Sequence, residues 1–326
     1  MRFVLCLLAS TALIAITGPA SAQDAKPRSS SDKLIRIIVP YAPGGYTDII
    51  ARLISQKMSE RLGQTVIVEN KPGASTILGA EFVAKAPADG NTLLMGVTTT
   101  LSSNQFMFKK LPYKTSDFIP VALTGLTPFV LVAHPSVPAN NVGELVALAK
   151  AKPGTLNVAT LGVGASTQLV AEMFKSAARV DIKDVPYKGS GPASTDLLAG
   201  HVQLYFDAVP TAMPRVRAGQ LKAIGITSEA RSPAAPMLST FVESGLPEMV
   251  AYSWYGLLAP TGTPQAVVDA LNKAANEALQ MPDVRAQVEA NGATAPIMSP
   301  GEFGALIEKH SKVWEKIIKP LNIQLD

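Results

Sequence analysis

Glycine followed by a hydroxyl residue, set where a strand gives way to a helix, is a way of holding an anionic oxygen. Four turns of this chain have that character: Pro43-Gly44-Gly45-Tyr46-Thr47-Asp48, Pro72-Gly73-Ala74-Ser75-Thr76, Gly162-Val163-Gly164-Ala165-Ser166-Thr167 and Lys188-Gly189-Ser190-Gly191-Pro192. Glycine lets backbone approach a ligand closely, the first amides of a helix have no intrahelical partner, and Ser or Thr adds a donor. The bland reading of any single turn is a helix cap. Four such turns weigh toward binding. Two carboxylates add to the set. Asp48 is either a complement to the dipole of its own helix or a group that orients donors in the turn. Asp207 closes a predicted strand, and the carboxyl ends of strands are where open α/β sheets bind ligands.

The elements that must position these turns are legible from periodicity. Leu34 to Val39 reads as a buried strand, followed by a helix with apolar Ile49, Ile50, Leu53, Ile54, Met58 and Leu62 and a stop at Gly63. Strand Thr65 to Val68, helix Ile77 to Ala86 and strand Thr92 to Val97 continue the alternation of βαβ units. A second series runs through strand Leu156 to Ala159, helix Ser166 to Ala177, strand Lys183 to Pro186, helix Ala193 to Leu198 and strands Val202 to Phe206 and Leu221 to Ile226. Phe118 to Ala133 and Met249 to Leu258 read as extended segments able to cross between two sheets, and Pro264 to Leu279, Asp283 to Asn291 and Pro300 to Ile318 as closing helices. The expected architecture is α/β, with two parallel-type sheets carrying helices on both faces and a cleft between two lobes. The first lobe is expected over 34–122 plus 254–326 and the second over 123–253. With two turns from each lobe facing the cleft, a dicarboxylate gripped at both ends fits the pattern.

The ends and composition bound the setting. Arg2, an apolar stretch from Phe3 to Ile16, the breaker Gly18-Pro19 and the small residues Ala20-Ser21-Ala22 read as a secretory signal peptide over residues 1–22, cleaved before Gln23, with a polar leader over 23–33. Cys6, the single cysteine, leaves with the signal, so no disulfide framework is expected. A net charge of +4 on scattered basic residues excludes a nucleic-acid tract and suits an anionic small ligand. His134, His201 and His310 lack metal-ligand spacing, no Gly-x-Ser-x-Gly elbow is present, and Gly162-x-Gly164 meets Thr167 where a dinucleotide fingerprint needs its third glycine. Neither a metal, a cofactor nor a catalytic set is expected.

The residues also resemble a family. Ile35-Arg36-Ile37-Ile38-Val39-Pro40-Tyr41-Ala42-Pro43-Gly44-Gly45 with Thr47-Asp48, then Val68-Glu69-Asn70-Lys71-Pro72-Gly73-Ala74, Ala88-Asp89-Gly90, Lys110-Leu111-Pro112-Tyr113, Val185-Pro186-Tyr187-Lys188-Gly189-Ser190, Phe206-Asp207 and Gly256-Leu257-Leu258-Ala259-Pro260 resemble the Bug family, the substrate-binding proteins of tripartite tricarboxylate transporters. The resemblance implies a two-lobed, type II-like periplasmic binding protein, monomeric, that takes a small carboxylate (a di- or tricarboxylate or an aromatic acid) and delivers it to membrane permease subunits. It implies ligand contacts from Gly44, Gly45, Thr47 and Asp48 in the first lobe and Ser166, Tyr187, Gly189, Ser190 and Asp207 in the second. Tyr46, where the family usually has a small residue, Ser75-Thr76 in place of a glycine-rich pair, and Gln168 in place of a frequent histidine depart from the pattern. With Thr167, all of them line candidate turns. Tyr46 is read as shrinking the pocket, stacking on an aromatic acid, or pointing to solvent. Two other roles stay open: an exported enzyme acting on a carboxylate or ester, and a sensor subunit that docks on a signalling receptor.

Overall fold

The computed structural model describes residues 34–290, 292–321 and 325. The signal peptide and leader expected over 1–33 lie outside them. In the first half, β1 (Ile35–Val39) pairs in parallel with both β2 (Val66–Asn70) and β3 (Thr92–Val97). Helix α1 (Tyr46–Leu62) connects β1 to β2 and stops at Gly63, whose φ of 60° gives the left-handed cap that glycine adopts at least cost. Helix α2 (Ile77–Ala84) leads from β2 back to β3. Both faces of β1 are covered: Ile37 and Val39 join one core with Ile50, Ile54 and Met58 of α1, and Ile38 joins another with Ile77, Leu94 and Trp254. That two-sided burial is why β1 reads as an unbroken aliphatic run.

Beyond β3 the chain makes a π-helical turn (Thr99–Ser103) and the short α3 (Asn104–Met107), and then enters β4 (Phe118–Ala133). The second half holds α4 (Val142–Ala151), β5 (Asn157–Thr160), α5 (Ser166–Ala178), β6 (Lys183–Pro186), α6 (Ser190–Leu198), β7 (Leu204–Ala208), α7 (Val209–Arg217) and β8 (Lys222–Ile226). The chain returns through β9 (Tyr252–Pro260) to α8 (Gln265–Gln280), α9 (Pro282–Ala290) and α10 (Pro300–Leu321). Strands follow the order β2-β1-β3-β9-β4-β7-β5-β6, with β8 also on β4.

The two long strands make the two-lobed α/β fold, and they change one detail of the expectation. The sheets are mixed rather than wholly parallel, because β9 runs antiparallel to β3 and β4, and β4 antiparallel to β7 and β8. Strands that cross between lobes must enter one sheet and leave by the other, so they cannot both share the direction of the βαβ units. β4 pairs with β9 through Pro128 and with β7 from Phe129 onward, so partners change within one step of the chain. Helix α10 also touches both halves: Phe303 and Ile307 belong to a core of the first, Trp314 and Ile318 to a core of the second.

Besides the short α3, two longer helices escaped the sequence reading. In α7, Pro210 near the start and Pro214 inside break the usual helical signal. In α4 the signal was present: the Asn141 side chain accepts from the Glu144 amide at 2.9 Å while donating to the Glu144 carboxylate at 2.8 Å, a reciprocal cap.

Candidate functional site

The turn after β1 is organised from within. The Gly44 amide donates to Asp48 Oδ2 at 3.2 Å, and the same carboxylate accepts from Arg52 Nε at 3.1 Å and Asn70 Nδ2 at 2.9 Å. Burial pushes the Asp48 carboxyl up, but these hydrogen bonds and the Arg52 charge outweigh it and hold the group below its ordinary value. Asp48 therefore orients the donors of its own turn and supplies the negative charge at the start of α1.

The turn after β2 is strained. Ala74, Ser75 and Thr76 have φ of 44°, 48° and 78°, a left-handed run of three residues that carry Cβ atoms. Each such residue costs on the order of 1 kcal/mol and persists only where its surroundings hold it. Asn104, fully buried on α3, does the holding: its Nδ2 donates to the Ser75 carbonyl at 2.9 Å and lies 3.4 Å from Thr76 Oγ1.

In the second lobe, acceptors of the chain itself take up the turn amides. Thr167 Oγ1 accepts from the Leu161 amide at 2.9 Å, and Gln168 Oε1 accepts from the Gly164 amide while its Nε2 donates to Asp184 at 2.9 Å. Ser190 Oγ lies 2.7 Å from the Tyr205 hydroxyl. The Tyr187 hydroxyl donates to Asp196 at 2.7 Å, so its oxygen is engaged within its own lobe. Asp207 is 3% exposed, with Oδ1 accepting from the Ala208 amide at 2.9 Å and Oδ2 3.8 Å from Arg215. Burial raises its carboxyl to about 6, and Thr211, Arg215, Ala208 and Tyr205 offset only part of that.

The four turns meet in two pairs across the lobes. The turn at Pro43–Gly45 packs on Gly189–Gly191 so tightly that a Cβ at Gly191 would stand 2.3 Å from the Pro43 carbonyl oxygen, and one at Gly45 2.9 Å from the Ser190 Cβ. Here the glycines serve close approach of backbones. The Ala42 amide also donates to the Lys188 carbonyl at 3.1 Å. In the second pair the Ser75 hydroxyl donates to the Val163 carbonyl. Between the pairs lies a cavity of about 390 Å³ with walls from both lobes, including Tyr41, Ser75, Thr76, Leu161, Val163, Tyr187 and Lys188.

Tyr46 does not point to solvent. It is 5% exposed, stacks edge-on against Tyr255 at a centroid distance of 4.8 Å, and its hydroxyl is buried without a hydrogen-bond partner. Thr47 is buried at the start of the same helix.

Sequence reasoning missed a fifth turn, Thr98 to Asn104, at the carboxyl end of β3. Thr98, Thr99, Thr100, Ser102, Ser103 and Asn104 are all at most 1% exposed, although all are polar. Thr99 Oγ1 accepts from the Tyr41 hydroxyl at 3.2 Å and from the Ser166 amide at 3.0 Å, joining the lobes. The signal was a run of hydroxyl residues directly after a strand, and π-helical turns gather at functional sites. Among the described residues no group of three or more His, Cys, Asp or Glu is arranged to hold a metal ion.

Residues 50–323 match the model of the tripartite tricarboxylate transporter family receptor. The chain is 35% identical to Protein BugT of Bordetella pertussis over 324 residues, covering 99% of this chain and 97% of that one. MatC from Rhodopseudomonas palustris, solved with bound malate, superposes with a TM-score of 0.84 at 35% identity, covering 88% of this chain and 99% of that one. An R. palustris protein solved with adipate gives 0.85 at 33%, covering 88% and 96%. With its paired turns and crossing strands, this chain belongs to the tripartite tricarboxylate transporter receptor family, the family of the Bug proteins.

Proposed function

We propose that this chain is a periplasmic receptor that closes two lobes on a small organic acid and hands it to a tripartite tricarboxylate transporter permease. The observation that carries the reading is the chamber between the two pairs of turns, which draws its walls from both lobes. Relatives with malate and adipate bound support a carboxylate as cargo. The hinge falls where β4 changes partners between Pro128 and Phe129 and where β9 begins at Tyr252, so closure turns on two strands. Export follows cleavage after Ala22, and the closed face of the loaded receptor is the surface the permease reads.

Within the site, Ser75 and Tyr187 line the chamber directly. Thr47, Asp48, Ser166, Thr167 and Gln168 shape the turns, while Gly44, Gly45, Gly189 and Ser190 form the closure contact. Tyr46 and Asp207 lie deeper, Tyr46 against the crossing strand β9 and Asp207 at the end of β7. The test is a thermal-shift panel of mono-, di- and tricarboxylates on the purified mature chain. Ligand at a hundred times its dissociation constant adds about 2.7 kcal/mol to stability, a readily measured rise in melting temperature. No shift with any acid would overturn the reading.

A further inference from the structure

We propose that the cargo is a monocarboxylate with a compact apolar body, aromatic or branched, rather than a dicarboxylate clamped at both ends. The inference rests on the receptor reading above and concerns what the chamber selects. A dianion needs donors or cations for two charged ends. Four of the amides that seemed to offer them are spent inside the protein: Gly44 on Asp48, Ser166 on Thr99, Gly164 on Gln168 and Leu161 on Thr167. At the start of α1 the Asp48 carboxylate, paired with Arg52, already stands where a ligand carboxylate would take the Gly44 amide.

The chamber has the opposite character to a two-ended clamp. Pro40, Phe108, Leu161, Val163, Pro186 and the Tyr187 ring make its walls apolar, and at about 390 Å³ it is at the small end of ligand sites. Among the described residues that line it, Lys188 is the one charged side chain. Lys188 is exposed at the rim, while on the facing lobe the Ser75 hydroxyl is spent on the Val163 carbonyl and Thr76 is buried against Thr100 and Asn104. One cation matches one carboxylate, and the apolar walls match a body that a hydroxylated diacid such as malate lacks.

The experiment is calorimetric titration of the purified mature chain with benzoate, phenylacetate, malate and adipate, repeated on Lys188→Gln and Val163→Asp. Both positions are exposed, so the variants keep the wild-type melting temperature without ligand. The proposal predicts that benzoate or phenylacetate binds at least tenfold tighter than either diacid, and that each substitution weakens that binding tenfold or more. If malate or adipate binds best, or if Lys188→Gln leaves aromatic-acid affinity unchanged, the proposal is overturned while the receptor reading stands. If none of the four acids binds and a wider carboxylate panel is equally silent, both fall.

Discussion

Thr99 Oγ1, carried by the first lobe, accepts a 3.0 Å hydrogen bond from the backbone amide of Ser166, the first residue of α5 in the second. A helix amide without an intrahelical partner is thus satisfied across the cleft by a side chain of the opposite lobe. Closure is written into the polar groups of the turns as well as into any ligand.

Replacing that acceptor therefore weakens closure. Thr99→Val keeps the shape but leaves the Ser166 amide unpaired in a buried place, at a cost of about 1–3 kcal/mol. Acid affinity is expected to fall about tenfold, with a larger radius of gyration at saturating ligand measured by small-angle scattering. A compact, tight-binding variant would show that the bond is incidental.

The glycine contacts make a steric counterpart. In Gly191→Ala the new Cβ meets the Pro43 carbonyl oxygen across the junction of the two turns. Ligand affinity should drop at least tenfold while the melting temperature of the unliganded protein stays within a degree or two. Loss of the fold itself would mean that the contact is needed in every state of the chain.

Asn104 is expected to act through the strained turn. Asn104→Ala removes the donor to the Ser75 carbonyl, freeing Ala74–Thr76 to relax and taking the Ser75 hydroxyl away from Val163. Loss of buried hydrogen bonds predicts destabilisation of about 1–3 kcal/mol by chemical denaturation, together with weaker acid binding. Unchanged affinity in the folded variant would separate the strained turn from function.

For Asp207 the sign is fixed by its raised pKa of about 6, produced first by burial. The folded state holds the proton more tightly than the unfolded chain does. The stability this contributes is complete below about pH 4, the ordinary carboxylate value, and is lost as pH rises through 6. Asp207→Asn does not ionise, so the variant should gain on wild type between pH 4 and pH 7.5, by up to about 3 kcal/mol. Stability curves that run parallel across that range would contradict the assignment.

Tyr46 gives a prediction of the same sign. Its buried hydroxyl has no hydrogen-bond partner, so Tyr46→Phe removes a desolvated polar group and should leave stability equal or raise it by about 1 kcal/mol. A drop of that size would mean the hydroxyl is paired in solution.

What the sequence disclosed, it disclosed through local rules. The aliphatic run of β1, the stop at Gly63 and the extended course of Phe118–Ala133 follow from burial, a left-handed cap and β-propensity, each a property of a few neighbouring residues. The four turns were visible for the same reason. The pairing of those turns across the lobes was not, because it depends on where two crossing strands place them. Nor was the use of their amides: Gln168 and Thr167 looked like ligand donors and acceptors, and their side chains fold back on the Gly164 and Leu161 amides of their own turn. The buried run Thr98–Asn104 hid because hydroxyl residues carry no periodic apolar signal, and α7 hid behind its prolines. Tyr46 shows the limit most clearly, since a residue that suited the pocket or the solvent turned out to pack against Tyr255.

A receptor captures an organic acid and releases it unchanged. Native mass spectrometry of freshly isolated protein, followed by denaturation and analysis of what is released, tests it most directly. The expected result is one acid per chain, recovered with its mass unaltered after prolonged incubation and able to rebind the stripped protein. Protein that carries no acid and takes up none, or an added acid converted to a new product, would contradict it.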